Sequence, residues 1–214
     1  MCGIVGYKGP QSASIPLIEG LRRLEYRGYD SAGIALGTPN KLFIEKRAGK
    51  LSNLEQELSS IPTAHSGIGH TRWATHGGPT DRNAHPHVDN DGKLAVIHNG
   101  IIENYAELKA ELESKGHKFS SDTDTESVAH LLSDLRKKHN GDLSAAMREA
   151  VKSLRGSFTL VAIHADTPDV IVGVRRNSPL VVGIGKNENF MASDVAAFID
   201  YTKRAIELGQ DQVV

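Results

Sequence analysis

Three consecutive amphipathic helical patterns occupy the middle of the chain, and apolar runs of strand length lie on both sides of them. Apolar residues recur at three- and four-residue spacing between residues 105 and 154, the period of a helix with one buried face. Several flanking runs, among them 157–165 and 170–174, are apolar at consecutive positions, as expected for strands covered on both faces. Strands on both sides of a helical block predict an α+β fold of packed sheets with helical layers outside.

Composition and charge restrict the partners of this chain. Its 214 residues are 39% apolar and 24% charged, with interspersed signs and a formal net charge of −1. We therefore expect a globular domain that binds neither nucleic acid nor an anionic membrane. No apolar run approaches the roughly 20 residues of a membrane span, and no secretory signal pattern is present. No repeat or linker divides residues 1–214, which we interpret as one domain.

The only cysteine, Cys2, lies one peptide bond from the start of the sequence. Its small side chain favours removal of Met1, which would leave Cys2 with a free α-amine. An unperturbed α-amine has a pKa of about 8 and a thiol one of about 8.5, so one residue would supply both a nucleophile and a base. The alternative is a small apolar residue that begins a strand. A single cysteine cannot form an internal disulfide, which predicts a cytoplasmic location.

Histidine is enriched in one part of the chain. Six of the ten histidines lie between residues 65 and 98, which raises a zinc site as the competing enzyme hypothesis. The sequence has neither a His-Glu-x-x-His helix nor a cysteine cluster, and Pro86 predicts that His85 and His87 point to opposite sides of an extended segment. We therefore expect no metal and no other cofactor, and histidines that line a loop or form hydrogen bonds in the core.

Six separated stretches resemble, in the same order, the class II glutamine amidotransferases of the N-terminal-nucleophile hydrolase superfamily. They are CGIVGY (2–7), LEYRGYDSAGIA (24–35), GHTRWATHG (69–77), NAHPH (83–87), HNGIIENY (98–105) and SDTDTE (121–126). The spellings YRGYDSAG and HTRWATHG are most similar to the glutaminase domains of the glucosamine-6-phosphate synthase family. The resemblance implies a four-layer αββα sandwich, in which two antiparallel sheets lie between helical layers.

The resemblance also implies the residues of a glutamine site. Cys2 would be the nucleophile, and the Asn99 side chain and the Gly100 N–H would hold the oxyanion. Arg72 would bind the α-carboxylate of glutamine and Asp124 its α-ammonium group. Without the resemblance, a surface arginine and an Asn-Gly turn would be the favoured explanations of Arg72 and Asn99, and an acid that stabilises a helix N-terminus would be a good explanation of Asp124.

The segment 73–79 resembles the glutamine loop of the same family, which closes over the substrate. Thr75 and His76 would contact glutamine, and Trp73 would act as a lid that helps to exclude water. Arg27 and Gly28 would shape the pocket beside Cys2, although Arg27 is also explained by a structural ion pair.

The substrates and partners follow from the same resemblance. L-glutamine would be hydrolysed to L-glutamate, and the ammonia would convert fructose 6-phosphate to glucosamine 6-phosphate in hexosamine synthesis. Fructose 6-phosphate would bind only through sugar isomerase domains, which are absent from this sequence, and the apolar end at 211–214 predicts a piece of a longer chain. The full-length protein is expected to be a homodimer, and the isolated domain a monomer. The alternatives are a glutaminase domain of another class II enzyme, such as phosphoribosylpyrophosphate amidotransferase, or a non-catalytic glutamine sensor.

Overall fold

The structure, a computed structural model, describes residues 2–74 and 77–214, and within them the chain forms eleven strands and five α-helices. The strands are β1 (Gly3–Lys8), β2 (Ser31–Thr38), β3 (Lys41–Ala48), β4 (Ser66–Arg72), β5 (His87–Val88), β6 (Leu94–Ile102), β7 (Gly156–His164), β8 (Ile171–Arg176), β9 (Val181–Ile184), β10 (Asn189–Ala192) and β11 (Ala205–Glu207). The helices are α1 (Ser14–Arg23), α2 (Leu51–Glu57), α3 (Tyr105–Ser114), α4 (Thr125–Lys138) and α5 (Leu143–Ser153). No helix in this described part is both long and apolar enough to span a bilayer.

The strands form two antiparallel sheets that pack face to face. The first sheet has seven strands in the order β11-β9-β10-β1-β4-β2-β3, and the second has four in the order β5-β6-β7-β8. Ile4 and Ile68 of the first sheet pack against Ile97 and Val161 of the second, and all four side chains are fully buried. These strands are covered on both sides, which explains their consecutive apolar residues.

Helices cover the outer face of each sheet. Leu17 and Leu21 of α1 and Leu54 of α2 pack on the first sheet, while α3, α4 and α5 pack on the second through residues such as Leu132 and Met147. The predicted four-layer αββα sandwich is therefore confirmed. Two short strands, β5 and β11, have no counterpart in the sequence prediction, because they contain only two and three residues and those of β11 are exposed.

The sheet register places three chain segments at one edge of the sandwich. Gly3 pairs with Thr71, so the start of β1 and the end of β4 are neighbours. Asn99 and Gly100 lie towards the end of β6 in the facing sheet. The turn before α4 closes this edge, so residues distant in sequence converge there.

The turn before α4 is held by one buried carboxylate. Glu126 accepts hydrogen bonds from the main-chain N–H groups of Ser120 and Ser121, at 2.7 and 2.6 Å, and from both serine hydroxyls. Burial alone would raise the pKa of Glu126, but His130, whose Nε2 lies 3.6 Å from Oε1, and the hydrogen bonds from the two serines outweigh it and hold that pKa well below its usual range. The charged form of Glu126 therefore fixes the turn that carries Asp124.

Replacement of this carboxylate should destabilise the fold. We expect Glu126→Gln to lower the free energy of unfolding at pH 7 by about 2–3 kcal/mol, because an amide cannot accept all four bonds. The folded-state pKa is depressed, so the wild-type advantage should be present at neutral pH and shrink as the pH falls below the unfolded value. Urea unfolding at pH 7 and pH 4 measures both effects. The matched control is Glu111→Gln, at an exposed carboxylate paired with Lys115 on α3, which should change stability little.

Candidate active site

A cavity of about 350 Å³ opens at the edge where these segments converge. Cys2 and Arg72 line it from the first sheet, Asn99 and Gly100 from the second, and Asp124 from the turn before α4. A cavity of this size accommodates a free amino acid. The structure therefore brings together the five residues for which the sequence predicted nucleophilic, oxyanion-binding and charge-binding roles.

The Cys2 thiol lies against the main chain of Trp73. Its Sγ accepts a hydrogen bond from the Trp73 N–H at 3.1 Å and is 3.6 Å from the Trp73 carbonyl oxygen, to which it can donate. Burial raises the pKa of the Cys2 thiol, and the hydrogen bond from Trp73 opposes this only in part. The thiol is therefore protonated at neutral pH, and a nucleophilic role requires a nearby base.

Asn99 and Gly100 face Cys2 from the second sheet. Asn99 Nδ2 donates to the main-chain carbonyl of Cys2 at 2.8 Å. Gly100 has a φ of +123°, and a Cβ there would lie 2.0 Å from the carbonyl oxygen of Ser157 on β7, so only glycine fits. A side-chain amide and a main-chain N–H beside a thiol are suitable donors for a tetrahedral oxyanion.

The Arg72 side chain is buried, with 3% of the residue exposed, so the alternative of a surface arginine is wrong. Its Nη1 and Nη2 atoms donate to the carbonyl oxygens of Gly78 and Gly77 at 3.2 and 3.0 Å. Asn83 Nδ2 also donates to the Gly78 carbonyl, at 3.1 Å. The guanidinium is thus fixed in orientation at the cavity wall, where it can bind a carboxylate.

Asp124 is the N-cap residue of α4, but its side chain makes no capping hydrogen bond, and only 5% of the residue is exposed. Its Oδ2 accepts a hydrogen bond from the Ile102 N–H at 2.8 Å, and its Oδ1 lies 3.9 Å from His98 Nδ1. The carboxylate is therefore held against the end of β6 and contributes negative charge to the cavity. An ammonium group is the ligand that such a carboxylate favours.

The remaining predicted residues surround this centre. Arg27 lines the cavity and forms an ion pair with Asp194, and a Cβ on Gly28 would lie 2.7 Å from the main-chain carbon of Arg72. Trp73 is 48% exposed at the cavity rim, where its ring meets the Tyr29 ring edge-on at 5.3 Å. Thr75 and His76 lie outside the described residues, so their glutamine contacts stay predictions.

Four buried histidines, to which the sequence assigned no place in the site, cluster at the cavity: His85 and His98 line it, and His70 and His87 pack against His85. The rings of His70 and His85 are stacked at 4.3 Å, and those of His85 and His87 are 4.7 Å apart. The prediction that His85 and His87 point to opposite sides is therefore wrong. The reason is that both rings bind hydroxyls at the start of α4 and in the turn before it: Thr125 Oγ1 lies 2.9 Å from His85 Nε2, and Thr123 Oγ1 lies 3.0 Å from His87 Nε2.

The segment that carries the His85 and His87 rings is held in place by the ammonium group of Lys46. Lys46 Nζ donates to the carbonyl oxygens of Arg82, Ala84 and Pro86 at 3.2, 2.8 and 3.3 Å. Within residues 2–74 and 77–214, no three histidine, cysteine or acidic side chains are arranged to hold a metal ion. The sequence signals for this cluster were the local density of histidine and the motifs that contain the four residues, and neither revealed how the rings pack.

The four imidazoles are neutral in the folded protein. Burial is the main cause, and it lowers the pKa of His85, His87 and His98 and that of His70 to about 3. In the unfolded chain, each imidazole has a pKa of about 6.5. Protonation between these values therefore favours the unfolded state.

We accordingly expect the free energy of unfolding to fall as the pH is lowered from 7 to 5. Each neutral imidazole should contribute up to about 1.4 kcal/mol per pH unit below the unfolded pKa, because only the unfolded chain takes up the proton. Urea unfolding at pH 7, 6 and 5 measures the slope. His85→Phe should reduce that slope, and a pH-independent stability over this range would contradict the assignment of neutral buried rings.

A family model described as a glutamine amidotransferase domain matches residues 70–200 of the chain. The chain is 64% identical over 216 residues to a glutamine–fructose-6-phosphate aminotransferase (isomerizing) of Streptomyces coelicolor. It is 57% identical over 215 residues to the protein of that name from Thermus thermophilus. Each match covers 100% of this chain and 35% of the relative, so the chain spans about a third of the length of these relatives.

Solved structures share the fold. The glutamine phosphoribosylpyrophosphate amidotransferase of B. subtilis, complexed with ADP and GMP, has a TM-score of 0.78 and 29% identity, covering 97% of this chain and 44% of that one. A structure described as the allosteric regulatory enzyme of purine biosynthesis has a TM-score of 0.83 and 28% identity, covering 99% of this chain and 46% of that one. These identities of 28–29% are lower than the 57–64% identity to the two aminotransferases, so they do not favour the alternative of a phosphoribosylpyrophosphate amidotransferase. The chain thus belongs to the glutamine amidotransferase domain family, and its sandwich is that of the N-terminal-nucleophile amidotransferases.

Proposed function

We propose that residues 1–214 form a glutaminase domain in which Cys2 hydrolyses the side-chain amide of L-glutamine. One observation carries the proposal: the Cys2 thiol, the Asn99 and Gly100 donors, the Arg72 guanidinium and the Asp124 carboxylate all border one cavity. Amide hydrolysis needs a nucleophile beside oxyanion donors, and a free amino acid needs opposite charges for its two ionic groups. The cavity supplies each of these.

The base in this proposal is the α-amine of Cys2 after removal of Met1. Burial keeps the thiol protonated, so Sγ needs a proton acceptor before it can attack, and the amine of the same residue can accept that proton. The amine, alone or through a water molecule, takes the thiol proton while Sγ attacks the amide carbon. The oxyanion then forms between the Asn99 amide and the Gly100 N–H.

Collapse of this intermediate breaks the carbon–nitrogen bond. The proton held by the amine passes to the departing nitrogen, and ammonia leaves a γ-glutamyl thioester on Cys2. Water then attacks the thioester and releases L-glutamate and the thiol. Arg72 and Asp124 hold the α-carboxylate and α-ammonium groups throughout, which fixes the amide carbon beside Sγ.

The segment that begins at Trp73 acts as the lid of the site in this proposal. Trp73 already contacts Sγ through its main chain, and its indole stands at the cavity rim. Thr75 and His76 would complete the contacts to glutamine on closure, and Arg27 and Gly28 support the pocket wall. Exclusion of water would then protect the thioester until ammonia has left.

The acceptor in this proposal is fructose 6-phosphate, bound by a sugar isomerase region beyond residue 214. Support comes from relatives at up to 64% identity that are named for this sugar phosphate and are about three times as long. We place the enzyme in the cytoplasm, where a single thiol stays reduced, and we propose a homodimer for the full-length protein and a monomer for this domain. The isolated domain would release ammonia to solvent.

Removal of the thiol should separate chemistry from binding. Cys2→Ala is expected to abolish glutamate release while it leaves the affinity for L-glutamine within a few-fold, because Arg72 and Asp124 remain. Coupled glutamate assays and calorimetric titration measure the two quantities. Turnover at the wild-type rate would exclude Cys2 as the nucleophile, and binding without turnover by the wild-type protein would favour the glutamine sensor.

A separate experiment tests whether the α-amine of Cys2 is the base. An N-terminal extension that blocks Met1 removal should silence the enzyme, and intact mass should show loss of Met1 in active material. An electrophilic glutamine analogue should add one equivalent to Cys2 in the active form alone. Full activity with Met1 retained would contradict the proposed base.

Loss of the Asp124 charge should weaken substrate binding more than chemistry. Asp124→Asn keeps an acceptor for the Ile102 N–H but removes the partner of the α-ammonium group, so KM should rise about 10- to 100-fold with a smaller change in kcat. Steady-state kinetics with L-glutamine provide the measurement. Asp91→Asn is the matched control, because that exposed carboxylate pairs with Lys137 away from the cavity. An unchanged KM for Asp124→Asn would refute the assigned role.

A further inference from the structure

A buried histidine of the first sheet contacts the predicted oxyanion donor of the second. His70 lies on β4 with no exposed surface. Its Nε2 atom is 3.0 Å from Asn99 Oδ1 and 2.9 Å from the carbonyl oxygen of His98. No role for His70 follows from the sequence motifs, although it stands two residues before Arg72.

The two partners determine where the proton of His70 resides. An amide oxygen and a main-chain carbonyl oxygen only accept hydrogen bonds, so the proton must be on Nε2. Nδ1 then carries the lone pair, and this buried atom has no hydrogen-bond partner among residues 2–74 and 77–214. The ring stacks on His85 at 4.3 Å, which restricts its rotation.

This contact fixes which end of the Asn99 amide faces Cys2. His70 holds Oδ1 from one side, so Nδ2 is directed to the opposite side, where it lies 2.8 Å from the Cys2 carbonyl oxygen. We propose that His70 is a positioning residue that keeps the Asn99 amide in the orientation in which its NH₂ group faces the developing oxyanion. This inference rests on the proposed glutaminase function.

The orientation matters because the two ends of a carboxamide have opposite electrostatic character. A reversed Asn99 would present an oxygen to the oxyanion and to the Cys2 carbonyl, which replaces attraction by repulsion in a site of low dielectric. Burial lowers the pKa of His70 to about 3, so the ring stays a neutral donor near pH 7. Loss of one oxyanion donor costs about 10²- to 10³-fold in kcat, which sets the scale of the effect expected for misorientation.

Two substitutions separate this role from simple packing. His70→Leu removes the donor, and kcat for L-glutamine should fall about 10- to 100-fold with little change in KM. His70→Gln can place an amide N–H near the Nε2 position and should restore most of kcat. His164→Leu is the control, because His164 is also buried but lies on β7, where it pairs with Leu94 at the end of β6 away from Asn99. This control should lose stability and retain kcat.

A double substitution tests whether His70 acts through Asn99. In the Asn99→Ala background, His70→Leu should cause no further loss of kcat, because the group that it orients is gone. Multiplicative losses would overturn the proposal, as would wild-type kcat in the His70→Leu protein. The wild-type chain is assayed first, and absence of glutamate release from it would refute the proposed function instead.

A measurement on the unaltered protein covers the case in which His70→Leu does not fold. Nitrogen-15 chemical shifts of the imidazole at pH 7 distinguish the two neutral tautomers and the cation. The proposal requires a neutral ring with the proton on Nε2. A proton on Nδ1 alone, or a cationic ring, would overturn it.

Discussion

The hydrogen bond from Asn99 Nδ2 to the Cys2 carbonyl joins the two sheets where the cavity begins. It forms only because the apolar faces of the sheets, including Ile4 and Ile97, pack together along the rest of their length. Neither sheet alone holds both a thiol and oxyanion donors. The hydrophobic contact between the sheets therefore fixes the geometry of the polar site at its edge.

A polar layer lies between this apolar contact and the cavity. His85 and His98 share the hydroxyl of Thr125, with each ring nitrogen at 2.9 Å, and His70 links the His98 and Asn99 side of β6 to β4. Neutral imidazoles can be buried here because hydroxyl and carbonyl groups satisfy part of their hydrogen-bonding capacity. The neutral rings of His70 and His98 therefore lie beside Asn99 and Asp124 without adding a positive charge there.

Different features of the sequence predicted different parts of the structure. The pattern of apolar residues indicated packed sheets with helices outside, whereas the αββα layer order and the residues that share the cavity, Cys2, Arg72, Asn99 and Asp124, came from the family resemblance. The inward turn of His87 could not be predicted, because it depends on hydroxyls that approach only after the chain has folded. The burial of Arg72 was ambiguous for the same reason, since its carbonyl partners belong to the following loop.

The partner of Asn99 on Cys2 is a main-chain oxygen, and this choice has an evolutionary consequence. A peptide carbonyl is present whatever side chain residue 2 carries, so the hydrogen bond that Asn99 donates to it does not depend on the chemistry of the nucleophile. A hydroxyl nucleophile in place of the thiol would therefore be surrounded by the same groups. Reactivity at residue 2 and the architecture around it can therefore diversify separately in descendants of this fold.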